Sequence, residues 1–153
     1  MAVPTLGLRF DGLALSLDLA SRDVEPPGGP YRDWLRVTVR AEVPYFRADF
    51  SWSVMPDELR TLAAALEELH EAAPGTRPVR FKPVQPNLML SFAVVTRGAI
   101  TGSYHFRPDY TQPGTLQGSF RIAQTDLPGV AASIRAFLHE ADALAESAPP
   151  RRS

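Results

Sequence analysis

Apolar residues alternate with polar or small residues along most of this chain, and this period of two constrains the fold more than any other feature. The first two alternating runs cover residues 6–10 and 13–19, with Asp11-Gly12 between them. Asp-Gly tolerates the positive φ angles of a tight turn. Because successive side chains of a strand point to opposite faces, these runs predict a β-hairpin with one buried face.

Two more alternating runs, within residues 35–53, predict a second hairpin whose register follows from its charges. If residues whose numbers sum to 89 face each other, two pairs of opposite charge form, each contributing ~0.2–1 kcal/mol. A slip of one residue would turn the apolar side chains to the wrong face. The pairs are Arg40 with Asp49 and Glu42 with Arg47.

Prolines delimit several further elements. Pro44 excludes a type I′ turn, so we expect the second hairpin to have a connection wider than two residues. Residues 21–32 carry the run Pro-Pro-Gly-Gly-Pro and are expected to form a surface loop. Pro78 and Pro83 bracket Val79–Lys82, which predicts a short edge strand because proline cannot donate to a ladder.

Residues 88–122 contain three more alternating runs. If the last two pair about a centre near Tyr110, Gly102 faces Gly118 on the buried side. A glycine pair leaves a shallow gap, so we expect a helix to approach the sheet closely there.

Helical spacing of apolar residues predicts two helices, over Met55–Ala73 and over about Pro128–Glu146. The order of elements then predicts an α+β fold, with a single antiparallel sheet of about six to eight strands and two helices packed on one face. We expect one domain over residues 1–148 and a frayed tail over residues 149–153.

Residues that carry chemistry are scarce, so we predict no catalytic site, no metal site and no cofactor, and the chain is not expected to be an enzyme. It has no cysteine, which excludes thiolate metal sites and cysteine nucleophiles. The helical histidine His139 would need a second histidine at position 143 to form a zinc motif, and Ala143 stands there. Neither a phosphate-binding loop nor a nucleophile elbow is present.

Charge and hydropathy argue against nucleic acid and membranes as partners. The formal net charge is −1, so no overall field attracts anions. Apolar runs are far shorter than the ~18 residues that a membrane span needs, and the N-terminus lacks the pattern of a secretory signal. The default expectation is therefore a cytoplasmic protein.

Two charged surfaces remain as candidates for binding. Acidic residues on the two predicted helices could meet a basic protein partner. Arginines on the open sheet face could instead hold an anionic ligand or nucleic acid, with a histidine beside them. The acidic set is Glu67, Glu68, Glu71, Glu140 and Asp142. The alternative, anion-binding set is Arg36, Arg107, Arg121 and His105.

Short motifs between residues 33 and 138 resemble the WapI-type family of bacterial immunity proteins and a related family of uncharacterised bacterial domains. They are Asp33-Trp34-Leu35 opening a strand, Glu58-Leu59 opening a leucine-rich helix, and Pro86-Asn87-Leu88 opening another strand. Gln85 stands where the family pattern tends to have glutamate, and this departure concerns the cognate partner more than the fold.

The resemblance implies a cytosolic protein that neutralises a toxin domain, in the prototype a tRNA-cleaving nuclease delivered between competing cells. Such a protein binds stoichiometrically and blocks the toxin without turnover. A basic nuclease would favour the acidic set as the contact surface. The alternative is a small binding module that holds an anionic ligand or nucleic acid on the open sheet face.

Overall fold

A computed structural model describes residues 3–24 and 33–147, and the strands among them form two four-stranded antiparallel sheets. Within each sheet, the strands pair with their neighbours in chain order. The first sheet comprises β1 (Thr5–Phe10), β2 (Leu13–Val24), β3 (Asp33–Val43) and β4 (Phe46–Val54). The second sheet comprises β5 (Val79–Phe81), β6 (Leu88–Thr96), β7 (Ala99–Phe106) and β8 (Leu116–Ala123).

One long helix follows each sheet. Helix α1 (Pro56–Leu69) ends earlier than the predicted 55–73, and α2 (Leu127–Ser147) is close to the predicted 128–146. A 3₁₀ turn, Gln124–Asp126, leads into α2. The helices pack against each other, with α1 also contacting β3 and β5, and α2 contacting β1 and β2. No helix in the described residues is long and apolar enough to cross a membrane.

The prediction of a single sheet with both helices on one face is wrong, because the strands divide into two sheets. Eight strands ~4.8 Å apart would make a face about 38 Å wide, and two helices of ~10 Å diameter would cover about half of it. The buried faces of the two sheets cover each other instead. Among the described residues, one main-chain bridge joins the sheets: the Asp11 and Arg121 N–H groups each donate to the other's carbonyl, at 3.0 and 2.8 Å.

Aromatic rings fill the space between the sheets. Side chains of both sheets and both helices belong to one continuous buried cluster. Each buried ring removes about 150–250 Å² from water, so the rings dominate the packing energy. The ring pairs that cross between sheets are Phe10–Phe120 (4.7 Å between centroids), Phe10–Phe92 (6.2 Å), Phe50–Phe106 (6.3 Å) and Trp52–Phe81 (6.1 Å).

The register predicted for β3 and β4 is confirmed, and the predicted width of their connection is wrong. All nine pairs sum to 89, from Leu35 opposite Val54 to Val43 opposite Phe46. The connection therefore has two residues. Tyr45 makes this possible by adopting a φ of 71°, which after Pro44 produces a type II turn.

The register predicted for β7 and β8 is wrong by two residues. Gly102 faces Phe120, and Gly118 faces Tyr104. Each ring lies over the glycine of the opposite strand, where an added Cβ would overlap it. The gap left by glycine is therefore filled by a cross-strand ring rather than by a helix.

Three further expectations concern connections and ends. The predicted loop 21–32 is wrong for residues 21–24, which extend β2 after a register shift between Leu19 and Ser21. Residues 25–32 and the expected tail 149–153 lie outside the described residues. The predicted edge strand is confirmed as β5, which pairs within the chain with β6.

Candidate protein-binding surfaces

Two members of the acidic set are engaged in ion pairs within the molecule. Glu67 of α1 pairs with Arg135 of α2. Asp142 of α2 lies 2.7 Å from the Arg22 guanidinium and 3.8 Å from that of Arg60. These two carboxylates connect elements of the fold, so they are less free to meet a partner.

The other three members, Glu68, Glu71 and Glu140, are exposed and make no ion pair with any described residue. Glu68 lies in the last turn of α1, Glu71 lies just beyond it, and Glu140 lies on α2. Their charges face solvent, where they can attract a basic surface over about a Debye length. We call these three residues the free acidic surface.

Arg22 is a structural residue that sequence reasoning missed. Its Nε and one terminal nitrogen bind both oxygens of Asp33, at 2.9 and 2.7 Å, and its other terminal nitrogen binds Asp142. The bonds to Asp33 above all raise the Arg22 pKa, although burial opposes them. Because Arg22 lay in a stretch expected to be loop, its position opposite α2 carried no signal in the sequence.

The anion-binding set does not form one surface. Arg36 lies on β3 in the first sheet, 3.4 Å from Asp23. His105 and Arg121 lie on β7 and β8 of the second sheet, and Arg107 directly follows β7. Arg107 donates to the Tyr110 carbonyl and lies 4.6 Å above its ring. The structure therefore does not bring the four residues together.

The second-sheet members of that set differ in their surroundings. Arg121 is exposed and makes no ion pair with a described residue. His105 is half-buried, and its Nδ1 is shielded from solvent without a hydrogen-bond partner among the described residues. In the described parts of the chain, no three histidine or acidic side chains are close enough to hold a metal ion.

The β3–β4 turn carries two aromatic side chains into solvent. Tyr45 is 98% exposed and Phe46 is 65% exposed, and both follow the exposed Pro44. The neighbouring strand β2 pairs with β3 only as far as Ala14 opposite Glu42, so the turn projects beyond it. We call residues 44–46 the apolar tip.

Sequence reasoning treated the apolar tip as an ordinary connection. The signal that could have identified it is an adjacent pair of large aromatic residues in a hairpin turn, where glycine, asparagine and aspartate are the usual residues. Tyrosine is among the residue types enriched where a few side chains carry most of the binding energy of an interface.

Two arginines share one carboxylate at the base of the same hairpin. Asp49 accepts from Arg47 at 2.9 Å and from Arg40 at 3.4 Å. The hydrogen bond from Arg47 is the first cause that holds the pKa of Asp49 below its ordinary value. The base of the hairpin is thus charged, whereas its tip is apolar.

Two carboxylates line a surface hollow between α1 and β5, and both already have partners. The hollow between α1 and β5 has a volume of about 320 Å³, and its acidic lining residues are Asp57 and Glu58. The Asp57 carboxylate pairs with Arg60, and Glu58 accepts from the Met55 and Val84 N–H groups. Both carboxylates are therefore occupied in stabilising the start of α1.

One family model matches most of the chain. A family model described as the immunity protein WapI-like family matches residues 8–141, from β1 to α2. No curated protein matches the chain. A solved structure titled as that of the plant transcriptional regulator PBF-2 is similar, with a TM-score of 0.48 and 7% identity, over 100% of this chain and 91% of that chain.

Proposed function

This chain belongs to the WapI-like immunity protein family, and we propose that it neutralises a bacterial toxin domain by binding it stoichiometrically, without turnover. The family match, which spans both sheets and reaches into α2, is the observation that supports this function. We propose a cytoplasmic location as part of this function, because a nuclease toxin acts on cytoplasmic RNA.

The free acidic surface supports a basic partner. Glu68, Glu71 and Glu140 keep their charges available, and a nuclease domain that binds RNA carries positive charge to meet them. Complementary charge mainly accelerates encounter and selects among partners. We therefore assign to this surface the steering of association rather than most of the binding energy.

Where a neighbouring reading frame encodes a large secreted protein, the C-terminal domain of that protein is the toxin to test. Co-expression of this domain with the immunity chain should restore growth, and the two purified proteins should form a one-to-one complex by light scattering. A stable interface of this kind buries about 1,200–2,000 Å². Continued toxicity together with the absence of a complex would overturn the proposal for that pair.

Single charge reversals test the free acidic surface. Glu68→Lys, Glu71→Lys and Glu140→Lys should each lower the association rate constant severalfold at low salt, and the difference should shrink in 1 M salt as the Debye length falls to ~3 Å. Asp18→Lys, on the exposed part of β2, is the matched control. Equal rates for all four variants would remove this surface from the interface.

A further inference from the structure

The apolar tip, residues 44–46, departs from what its turn requires. A two-residue hairpin turn is most stable in a primed conformation, because that twist matches the flanking strands. Pro44 excludes the primed turns, and together with the positive φ at position 45 it produces a type II turn, whose third position favours glycine or asparagine. Tyr45 occupies that position with a φ of 71° and exposes 98% of its surface.

At the other described positions with a positive φ, the residue is glycine. Tyr45 is the one non-glycine residue with positive φ in the described ranges 3–24 and 33–147. A bulky residue in this region is strained, and strained residues concentrate at functional sites. The glycines with positive φ are Gly12, Gly75, Gly98 and Gly114.

The hairpin presents the tip on a rigid base. Nine residue pairs join β3 to β4, and Asp49 forms ion pairs with both Arg40 and Arg47 just behind the tip. A preorganised loop loses little entropy on binding. Because residues 44–46 are proline, tyrosine and phenylalanine, the contact that the tip offers is apolar rather than ionic.

We propose that Tyr45 and Phe46 insert into an apolar pocket of the toxin domain and act as the anchor of the inhibitory interface. This inference rests on the proposed function and deepens it by naming a contact surface and its chemistry. A projecting pair of rings fits a concave site, and buried aromatic anchors carry most of the energy of typical interfaces. The free acidic surface then sets the association rate, and the apolar tip sets the dissociation rate.

A second copy of this chain is a weaker occupant of the same tip. Complete burial of both rings would remove about 300–500 Å² per copy, since an aromatic side chain buries about 150–250 Å². A stable interface buries about 800 Å² on each partner. The tip alone is therefore too small to hold a dimer, whereas a pocket in a larger partner surface can combine it with further contacts.

The test measures toxin binding and thermal stability for the same variants. Tyr45→Gly relieves the strained φ, so its Tm should stay equal or rise by a few degrees, while the Kd for the neighbouring-frame toxin domain should rise at least about thirtyfold. Phe46→Ala should weaken binding similarly without loss of the fold. Tyr45→Phe keeps the ring and should retain binding.

Tyr110→Ala is the matched control, because Tyr110 is also an exposed tyrosine, 46% accessible, in a connection of the second sheet. It should bind the toxin domain as the unmodified chain does. In the tip variants, the loss should lie mainly in a faster dissociation rate constant, and this loss should persist in 1 M salt, unlike that of the acidic variants.

Three results would overturn the inference, and they differ in what they say of the proposed function. If the unmodified chain binds and both tip variants bind within threefold of it, the anchor is wrong and the immunity function stands. If the unmodified chain does not bind the toxin domain at all, the proposed function fails first. If the chain alone forms a dimer that Tyr45→Gly dissociates, the tip contacts a second copy instead.

Discussion

The two sheets of this protein are specified by different kinds of interaction. In the first sheet, a charge pair accompanies the register of β3 and β4, and the half-buried guanidinium of Arg22 connects β2 with α2. In the second sheet, aromatic rings cover glycines across β7 and β8, and the neutral amide of Gln124 fastens the end of β8 to α1. The two antiparallel sheets thus differ in the contacts that accompany their strand register: ion pairs in the first sheet and rings packed on glycines in the second.

The largest test of this contrast is a glycine replacement in each sheet. Gly102→Val should destabilise the protein by about 4 kcal/mol, because its Cβ would overlap the Phe120 ring. Gly7→Val, at an exposed site of β1 with no atom within 4 Å of an added Cβ, should be neutral or stabilise by up to ~1 kcal/mol. Thermal unfolding measures both, at about 2–4 °C of Tm per kcal/mol.

A second substitution separates ring overlap from other effects of valine. Adding Phe120→Leu to Gly102→Val should recover part of the lost stability, since the smaller side chain vacates the space that valine needs. Equal stability of the Gly7→Val and Gly102→Val proteins would show that ring coverage does not specify the second sheet.

The same contrast explains which register the sequence could predict. Arg40, Glu42, Arg47 and Asp49 lie on the polar face of β3 and β4, where the observed register places Arg40 opposite Asp49 and Glu42 opposite Arg47. Of the two predicted ion pairs Arg40–Asp49 forms, whereas Arg47 binds Asp49 rather than Glu42. No comparable charges mark β7 and β8, and the glycine pair was expected to leave a shallow gap for a helix. The structure instead places a large ring opposite each glycine, which a rule about single residue types does not reveal.

The division into two sheets was also beyond the alternation pattern. A period of two shows that each strand buries one face, but not whether a helix or another sheet covers that face. The same limit applied to the candidate site. Exposure of Glu68, Glu71 and Glu140 agrees with the helical spacing, whereas the pairing of Glu67 with Arg135 depends on how α1 and α2 pack.

The next largest effect should come from replacing Gln124, whose uncharged side chain links the end of the second sheet to α1. Gln124 is 8% exposed, donates to the Leu69 and Ala72 carbonyls at 3.0 and 2.9 Å, and accepts from the Gly98 N–H at 3.1 Å. Gln124→Leu removes all three hydrogen bonds. The Leu69 carbonyl still accepts from the Ala72 N–H, whereas the Ala72 carbonyl and the Gly98 N–H lose their side-chain partner, so we expect a loss of about 3 kcal/mol in the free energy of unfolding.

The control for this prediction is an exposed glutamine of the second sheet. Gln117→Leu, on β8, should change the free energy of unfolding by less than about 0.5 kcal/mol. Urea unfolding measures the difference, and hydrogen exchange at the Gly98 N–H should accelerate in the Gln124 variant alone. Unchanged exchange there would mean that another acceptor replaces the amide.

A smaller loss in the free energy of unfolding should follow from weakening the ion pairs of Arg22 in the first sheet. Arg22→Lys keeps the charge but cannot bind Asp33 through two nitrogens and Asp142 through a third, so we expect a loss of about 1.5 kcal/mol. Arg36→Lys is the control, because Arg36 is exposed and its ion pair with Asp23 is 3.4 Å long. Identical urea midpoints for the two variants would contradict a structural role for Arg22.

The smallest expected effect is a difference in titration between one carboxyl group of the β3–β4 hairpin and one of the β7–β8 connection. Asp49 and Asp109 both have a lowered pKa, the first mainly through Arg47 and the second mainly through hydrogen bonds from Thr111. A lowered pKa stabilises the fold above the unfolded-state pKa, and this contribution disappears as pH falls through the folded-state pKa.

Carboxyl chemical shifts followed by NMR should therefore place both midpoints below the ordinary value for aspartate at low salt. In 1 M salt the Asp49 midpoint should rise more than that of Asp109, because screening weakens an exposed ion pair more than hydrogen bonds from a neutral residue. Arg47→Gln should raise the Asp49 midpoint more than Arg40→Gln does, since Arg47 makes the shorter contact. Equal salt responses of the two carboxyls would mean that charge does not distinguish the β3–β4 hairpin, which carries the apolar tip, from the β7–β8 connection.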